Sequence, residues 1–443
     1  MALTSPVPGA VEGRWDRLVR DDRVHRSLYT DPGVFDLEMA SIFGWTWTYL
    51  GHESELANRN DFKTAYLGRR PIILTRDGEG RLHALLNRCR HRGATVCREE
   101  RGNSKAFTCP YHGWTYRNTG RLTGVPWPGA YGPDFDKAEY GLVEVPRIDV
   151  HRGFIFGTFD RDAESLADYL GPAAELIDQW IDRSPTGEVV VRSGALRLTY
   201  RGNWKLAYDN AADGYHPSFS HRSLLAVAER LGESKDMQYF GASPDDGLMY
   251  QLYLGHGHTF IDQRPNYTSA GSYWSQQRPQ PGREAYEELL RGRLGEDADR
   301  ILDLAIGSQM NLNIFPNLLL IGNQIQVIEP IAVDRTQLTW YSTTIGGVPD
   351  EIDHLRMRTQ EDFPSFGEPD DHANFEECQR GLGIPEVDWV MINRGLGIPG
   401  RITSDERGVV RGPVTDELQL RGYWSEWKRL MARRLPFESE GPA

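Results

Sequence analysis

The sequence predicts an α+β protein: a small antiparallel β-domain over residues 45–162, set into a larger α+β domain formed by residues 1–44 and 163–443. Three observations lead there. The chain has 443 residues, more than one core normally serves. Its texture changes near Trp45, from helical spacing to short apolar runs broken by Gly, Asn and Asp. Beyond Ala163, helical stretches and strand-like runs follow one another as in an antiparallel sheet with helices against it.

Each element has its own signal. Residues 1–44 read mainly as helix, with Val34, Phe35, Leu37, Met39, Ile42 and Phe43 at helical spacing. The run PIILTRDGEGRLHALL holds an Asp-Gly turn between apolar stretches, and GFIFGTF is a further strand signal. Ala163 to Ile181 reads as helix, and EVVVRSGALRLTYRG returns to strand. Asn203 to Leu231 is helical in texture, interrupted at Pro217. FPNLLLIGNQIQVIEPIAVDRTQLTWYSTTIGG reads as successive strands, in which Ile325 and Val327 alternate with Gln324 and Gln326. Helix resumes at Asp350 and again over DELQLRGYWSEWKRLMARR. The hexapeptide Arg-Gly-Leu-Gly-Ile-Pro occurs at 380–385 and again at 394–399, which predicts two similar glycine turns.

Composition excludes several classes. A formal charge of -13 argues against nucleic acid, because phosphate contacts need clustered Lys and Arg. No apolar run approaches the roughly 20 residues that cross a bilayer, so no membrane partner is expected. The N-terminal text has neither an apolar signal core nor a basic transit pattern, which predicts a cytoplasmic protein. Four cysteines are too few for a disulfide scaffold. Cys97 and Cys378 have no ligand spacing and are expected to be structural.

Cys89 and Cys109 are different. The text runs Cys89-Arg-His91, then, after seventeen residues, Cys109-Pro-Tyr-His112. Zinc could accept such donors, but zinc pairs usually offer like residues within one loop. Here each loop mixes a thiolate with an imidazole. A 2Fe–2S centre accounts for that mixture, with two cysteines on one iron and two histidines on the other. Neutral histidines raise the potential to roughly −150 to +300 mV, against about −400 mV for all-cysteine clusters. Gly93 and Gly113 permit tight turns, and Trp114 and Tyr116 can shield a cluster from water.

A cluster of this kind only passes electrons, so a second centre is needed. NWKLAYDNAADGYHPSFSH contains Asp213, His216 and His221. Asp213 and His216, three apart, are expected to share a helix face, and Pro217 to turn His221 back toward them. Two imidazoles and one carboxylate form the facial triad of non-haem Fe(II) oxygenases. His256 and His258 (GHGH) share one face if that stretch is a strand; without a carboxylate or cysteine nearby they are expected in the core or the substrate pocket.

CRHRG at 89–93 and CPYHGWTY at 109–116 resemble the Rieske pattern, and the chain is similar nearly throughout to the large subunits of Rieske non-haem iron oxygenases. Asn203, Trp204, Lys205, Asn210, Asp213, Tyr215, His216 and His221 match that family's iron segment, with Asp209 where the family usually has Glu. FGEPDDHANFEE resembles its acidic segment at Glu368, Asp370, Asp371 and Asn374. By that register the third ligand is Asp371, with Asp370 as the alternative. The resemblance further implies a helix-grip catalytic domain, catalytic roles for Asp213 and Asn210, and a bridge from Asp213 to a Rieske histidine of a neighbouring subunit. It implies a homotrimer, or three large subunits capped by three small ones. The texture is most similar to members acting on aromatic acids of the benzoate, anthranilate and terephthalate type.

What the resemblance implies chemically is reductive O₂ activation after substrate binding, yielding a cis-dihydrodiol or a monohydroxylated aromatic product. No dinucleotide-binding glycine motif and no plant-type cysteine cluster occurs, so NADH is expected to be consumed by a separate reductase, with or without a ferredoxin. A monooxygenase or O-demethylase on the same scaffold is the alternative enzyme, and a Rieske electron carrier the alternative of another class.

Overall fold

The strand runs of the C-terminal half assemble into one nine-stranded antiparallel sheet in the computed structural model, which describes residues 13–223, 226, 230, 249–262, 281–305 and 310–433. Its strands are β1 (Val189–Tyr200), β2 (Tyr250–Tyr253), β3 (Thr259–Asp262), β4 (Met310–Ile314), β5 (Leu318–Ile321), β6 (Gln324–Ala332), β7 (Arg335–Ile345), β8 (Thr403–Ser404) and β9 (Val410–Pro413). Across the sheet they run β1-β7-β6-β5-β4-β3-β2-β9-β8. Ile325 and Val327 of β6 enter one core with Trp180, while Ile328, with Leu338 and Trp340 of β7, enters another with Trp204, Trp424 and Trp427. The alternation in β6 suggests a polar face, yet Gln324 and Gln326 are also buried. The Gln324 amide donates to the carbonyl of Gln360, on the helix Asp350–Phe366.

Residues 48–158 form three small antiparallel sheets. Strands 82–86, 70–76, 61–67 and 101–103 make one, and 106–108, 115–117 and 122–124 make another. Trp47, Tyr49, Phe154 and Phe156 share a core with Leu170, Ile177 and Trp180, so this region is welded to the large sheet through apolar surface.

Six helices carry or brace the functional side chains: α1 (Pro32–Ser41), α2 (Pro172–Ile181), α3 (Trp204–Ala211), α4 (Pro217–Ser220), α5 (Glu368–Leu382) and α6 (Leu418–Met431). The Asp31 carboxylate caps α1 by accepting from Gly33 N at 2.7 Å. The N-terminal segment is less helical than its spacing suggests, because Arg23–His25 pairs as a strand with Trp389–Met391. The repeated hexapeptide is not two similar turns. Its first copy runs out of α5, whereas the second turns at Gly395 and Gly397 with φ of 77° and 76°. Of the cysteines read as structural, Cys97 is buried but Cys378 is exposed.

The Asn-Trp-Lys text has a clear purpose in α3. Asn203 caps the helix through its side-chain oxygen, which accepts from Lys205 N at 3.2 Å, while its amide donates to the carbonyls of Tyr29 and Val333. Trp204 Nε1 and Lys205 Nζ both reach the Glu38 carboxylate of α1, at 2.9 and 2.6 Å, and Trp427 Nε1 of α6 joins them at 2.7 Å. Glu38 and Lys205 are wholly buried. Replacing Glu38 by Gln leaves a buried ammonium without its counter-charge, and is expected to cost about 3–5 kcal/mol. Chemical denaturation measures it, and a loss below about 1 kcal/mol would contradict that role for Glu38.

The GHGH stretch is a turn rather than a strand: His256 has φ 49° and His258 precedes β3. His258 belongs to the core, with Nδ1 accepting from Phe315 N at 3.0 Å and Nε2 donating to the Tyr169 carbonyl at 2.9 Å. Burial lowers its pKa to about 3, and burial likewise lowers His52 to about 4. Both lie below the roughly 6.5 of an unfolded histidine, so between these values the unfolded chain binds more protons. The contribution of these two histidines to stability is therefore whole above about pH 6.5 and falls as the pH drops toward 4, by about 1.4 kcal/mol per pH unit for each. Buried carboxyls that titrate high pull the other way. The check is therefore the difference in denaturation midpoint between the unaltered protein and His52→Asn at pH 7 and at pH 5; a difference that does not change with pH would refute the histidine contribution.

Candidate metal centres

The two Cys/His loops fold alike because their glycines let them. Gly93 N–H donates to the Cys89 carbonyl and Gly113 N–H to the Cys109 carbonyl, each at 3.0 Å. Both glycines have positive φ, 79° and 72°, which a side chain would resist. Cys89 and Cys109 are buried, and the rings of His91 and His112 stand 4.5 Å apart. Trp114 stacks on His91 with centroids 5.1 Å apart, and the Tyr116 hydroxyl lies 3.3 Å from Cys89 Sγ. His91 Nδ1 is buried without a hydrogen-bond partner among the described residues, as a nitrogen reserved for a metal would be.

A single zinc would draw three or four of these donors around one point. Among the described residues the only set of three His, Cys, Asp or Glu donors within 4.8 Å of one another is His216, His221 and Asp371. Four donors present in two loops but not converging on one point suit a two-iron cluster better than one tetrahedral ion.

That other set forms where helix α3 ends. The sequence places Asp213 and His216 on one helix; instead α3 stops at Ala211 and Asp213 lies in the turn beyond it. A Cβ on Gly214 would meet the Val414 carbonyl at 2.6 Å, so the turn needs glycine there. Pro217 opens α4 rather than breaking a longer helix, as suits a residue without an N–H. The Asp213 carboxylate accepts from Tyr215 N at 2.6 Å and His216 N at 3.2 Å, which sets the turn. Residues 224, 225, 227–229 and 231 of the expected helix lie outside the described residues.

The two imidazoles are arranged in parallel ways. His216 Nδ1 lies 3.1 Å from Asp213 Oδ2, and its Nε2 lies 3.7 Å from Asp371 Oδ1. His221 Nδ1 lies 3.7 Å from Asp370 Oδ2, and its Nε2 lies 3.4 Å from the same Asp371 oxygen. Each ring thus has one aspartate behind it and turns its other nitrogen to a shared point. Asp371 sits in the first turn of α5, buried, and its Oδ1 has no hydrogen-bond donor among the described residues. Burial raises its carboxyl to about 7, against the pull of His216. A cation among these three donors would relieve that penalty, so the residues fit a metal. Of the two aspartates left open by the sequence, Asp371 joins both Nε2 atoms, whereas Asp370 backs His221.

Supporting residues come from distant parts of the chain. The Asn210 side chain hydrogen-bonds Asp371. Asn374 donates to Ser220 Oγ at 3.2 Å, tying α5 to α4. Asp209, the departure from Glu, is half-buried; desolvation raises its carboxyl to about 6, and Tyr29 (2.7 Å) and Tyr423 donate to it. The sequence carries no sign of these tyrosines, nor of Asp370 behind His221. The Tyr131 hydroxyl, 3.5 Å from His91 Nε2, is a further neighbour that spacing does not reveal.

Comparison with known proteins places the two sites in two recognised domains. Residues 46–142 match the model of the Rieske 2Fe-2S domain, and residues 188–432 that of the ring hydroxylating alpha subunit catalytic domain. The large subunit of anthranilate 1,2-dioxygenase from Acinetobacter baylyi is 37% identical over 84% of this chain and 80% of its own length. Toluate 1,2-dioxygenase subunit alpha from Pseudomonas putida is 37% identical over 83% of this chain and 82% of its own. The crystal structure of naphthalene 1,2-dioxygenase from Rhodococcus sp. superposes with a TM-score of 0.75 at 30% identity, covering 93% of this chain and 94% of that one.

Proposed function

Since the chain belongs to the ring-hydroxylating oxygenase alpha-subunit family, with a Rieske domain ahead of its catalytic domain, we propose that it dihydroxylates an aromatic carboxylic acid at an iron held by His216, His221 and Asp371. The family assignment makes it a terminal oxygenase with a Rieske 2Fe–2S cluster and a mononuclear iron, fed by a separate reductase. The observation that carries the assignment of ligands is the convergence of three donors within 4.8 Å. The aromatic-acid substrate is supported by the named substrates of the relatives, anthranilate and toluate.

In this reading Cys89, His91, Cys109 and His112 hold the cluster, in a domain bounded at about residues 45 and 162. When bound, the two metal centres supply reductive activation of O₂. The protein's own residues position and shield. Asp213 takes the Nδ1 proton of His216 in a hydrogen bond and so leaves Nε2 as the donor atom. Asn210 steadies Asp371, and burial of His221 and Asp371 keeps water from that side of the site.

Asp213 also bridges to the cluster of another copy. Among the described residues its carboxylate pairs with no histidine but His216, and it is partly exposed, so a Rieske histidine reaching it comes from a neighbouring chain. Tyr215 and Phe219 beside it are exposed, as are Tyr111, Trp127 and Tyr131 around the cluster loops. These two aromatic surfaces suit a head-to-tail ring of three large subunits, bare or capped by three small ones. Electrons reach the cluster from an NADH-consuming reductase, directly or through a ferredoxin. No helix among the described residues is long and apolar enough to cross a membrane, and we place the enzyme in the cytoplasm.

The test is oxygen uptake against a panel of aromatic acids with a surrogate reductase, followed by product analysis with labelled O₂. Both labelled atoms in one product are expected. A single atom would favour a monooxygenase or O-demethylase, and uptake that no acid stimulates would overturn the substrate reading.

A further inference from the structure

Strand β4 carries two asparagines whose amides are only half used. Asn311 and Asn313, two residues apart, share a face of the strand. Each donates its Nδ2 to one backbone oxygen, that of Ala211, at 3.0 Å. Asn313 Nδ2 also lies 2.9 Å from Thr259 Oγ1. A backbone carbonyl can only accept, so the orientation of both amides is fixed; flipping either would set oxygen against oxygen. Both Oδ1 atoms are left over. They are buried, and neither has a hydrogen-bond partner among the described residues. Asn313 itself is wholly buried.

Their place in the fold gives these acceptors a use. Ala211 is the last residue of α3 and directly follows Asn210, which holds Asp371. The two free oxygens therefore belong to the strand that packs on the site-bearing end of α3. Native proteins rarely leave buried amide oxygens without a donor, and those left over are accounted for by strain, a functional role, or a water or ion that completes them. Apolar side chains at 311 and 313 would serve a plain hydrocarbon ring better, because they would set no free acceptor beside it.

We infer that Asn311 and Asn313 form a subsite that accepts hydrogen bonds from an N–H or O–H group on the substrate ring, so that the enzyme selects aromatic acids bearing such a donor. The inference rests on the aromatic-acid reading and narrows it. An amino group offers two N–H donors for two acceptors and a hydroxyl offers one, so the order of preference is amino, then hydroxyl, then an apolar group of similar size. A site built around a substrate donor discriminates far more steeply than an apolar pocket does, because the analogue lacking the donor leaves the protein's own group unpaired.

The test uses the holoenzyme with its electron supply. It compares kcat/KM for amino-, hydroxy- and methyl-substituted benzoates, each at ring positions 2, 3 and 4. Binding to the resting enzyme is measured in parallel by equilibrium dialysis. At the best position the amino acid is expected to exceed the methyl acid by at least about 10-fold in both measurements. In Asn311→Leu that ratio falls by about 10-fold, with the Rieske visible spectrum as the check on folding. Asn313→Leu is the second variant; if it does not fold, Asn311→Leu alone decides.

Three results overturn the inference. The first is a ratio near one in the unaltered enzyme, as expected if ordered water alone satisfies the two oxygens. The second is a ratio unchanged in Asn311→Leu. The third is that no benzoate of any kind binds or is hydroxylated, which takes the aromatic-acid reading down with it. Hydroxylation of methyl and amino acids alike removes this subsite and leaves that reading standing.

Discussion

Asp371→Ala is expected to lose the mononuclear iron and at least about 1,000-fold of turnover, while the Rieske absorption bands persist. The reason is electrostatic first. Asp371 Oδ1 stands 3.7 Å from His216 Nε2 and 3.4 Å from His221 Nε2, with no hydrogen-bond donor among the described residues. Burial has already made its charge costly, raising the carboxyl to about 7, so its anionic form is worth keeping only beside a cation. Two neutral imidazoles without that carboxylate keep neither the charge nor the facial geometry that Fe(II) requires.

The cluster loops lie elsewhere, around a separate apolar core of Phe107, Trp114 and Tyr116, and should not sense the change. Metal analysis should fall from about three irons per chain to about two, since only the cluster's pair remains. His216→Ala and His221→Ala should behave in the same way. Asp370→Ala is the informative control. It removes the partner behind His221 and should weaken iron binding by about 10- to 100-fold without abolishing it. If Asp370→Ala loses the iron and Asp371→Ala keeps it, the two aspartates have been assigned in the wrong order.

The legibility of each determinant in the sequence depends on how local it is. The Cys/His loops are local: Cys, His and Gly lie within five residues of one another, and the glycines' positive φ belongs to the loop itself. His216 and His221 are close in sequence, so they too can be found. The turn that presents them cannot, because it depends on Gly214 meeting Val414, about two hundred residues away. Asp209 shows the same limit. Its place in the motif is visible as a departure from Glu, but Tyr29 and Tyr423 reach it from opposite ends of the chain. The alternation in β6 misleads for a related reason. Periodicity tells which residues share a face, but not whether a second core covers the other one.

Asp213→Asn is expected to keep both metal centres and yet slow electron transfer between them by about 100-fold. The substitution preserves the turn, because the remaining side-chain oxygen can still accept from Tyr215 N, as Asp213 does at 2.6 Å. It changes the other side. Where Asp213 Oδ2 now faces His216 Nδ1 at 3.1 Å, an amide would offer a donor to a donor, or a neutral oxygen in place of a charged one. The imidazole then loses the partner that fixes its tautomer, and a Rieske histidine arriving from the neighbouring chain loses its acceptor. Stopped-flow oxidation of the reduced Rieske chromophore, with substrate and O₂ present, measures this step apart from overall turnover. Iron content near three per chain shows that the loss lies in coupling rather than in metal binding. Because the proposed bridge runs between copies, mixing Asp213→Asn subunits with subunits whose cluster is disabled by Cys89→Ala should restore turnover only where an intact cluster faces an intact Asp213. Rieske oxidation at the unaltered rate in Asp213→Asn would show that electrons reach the iron by a route that bypasses this carboxylate.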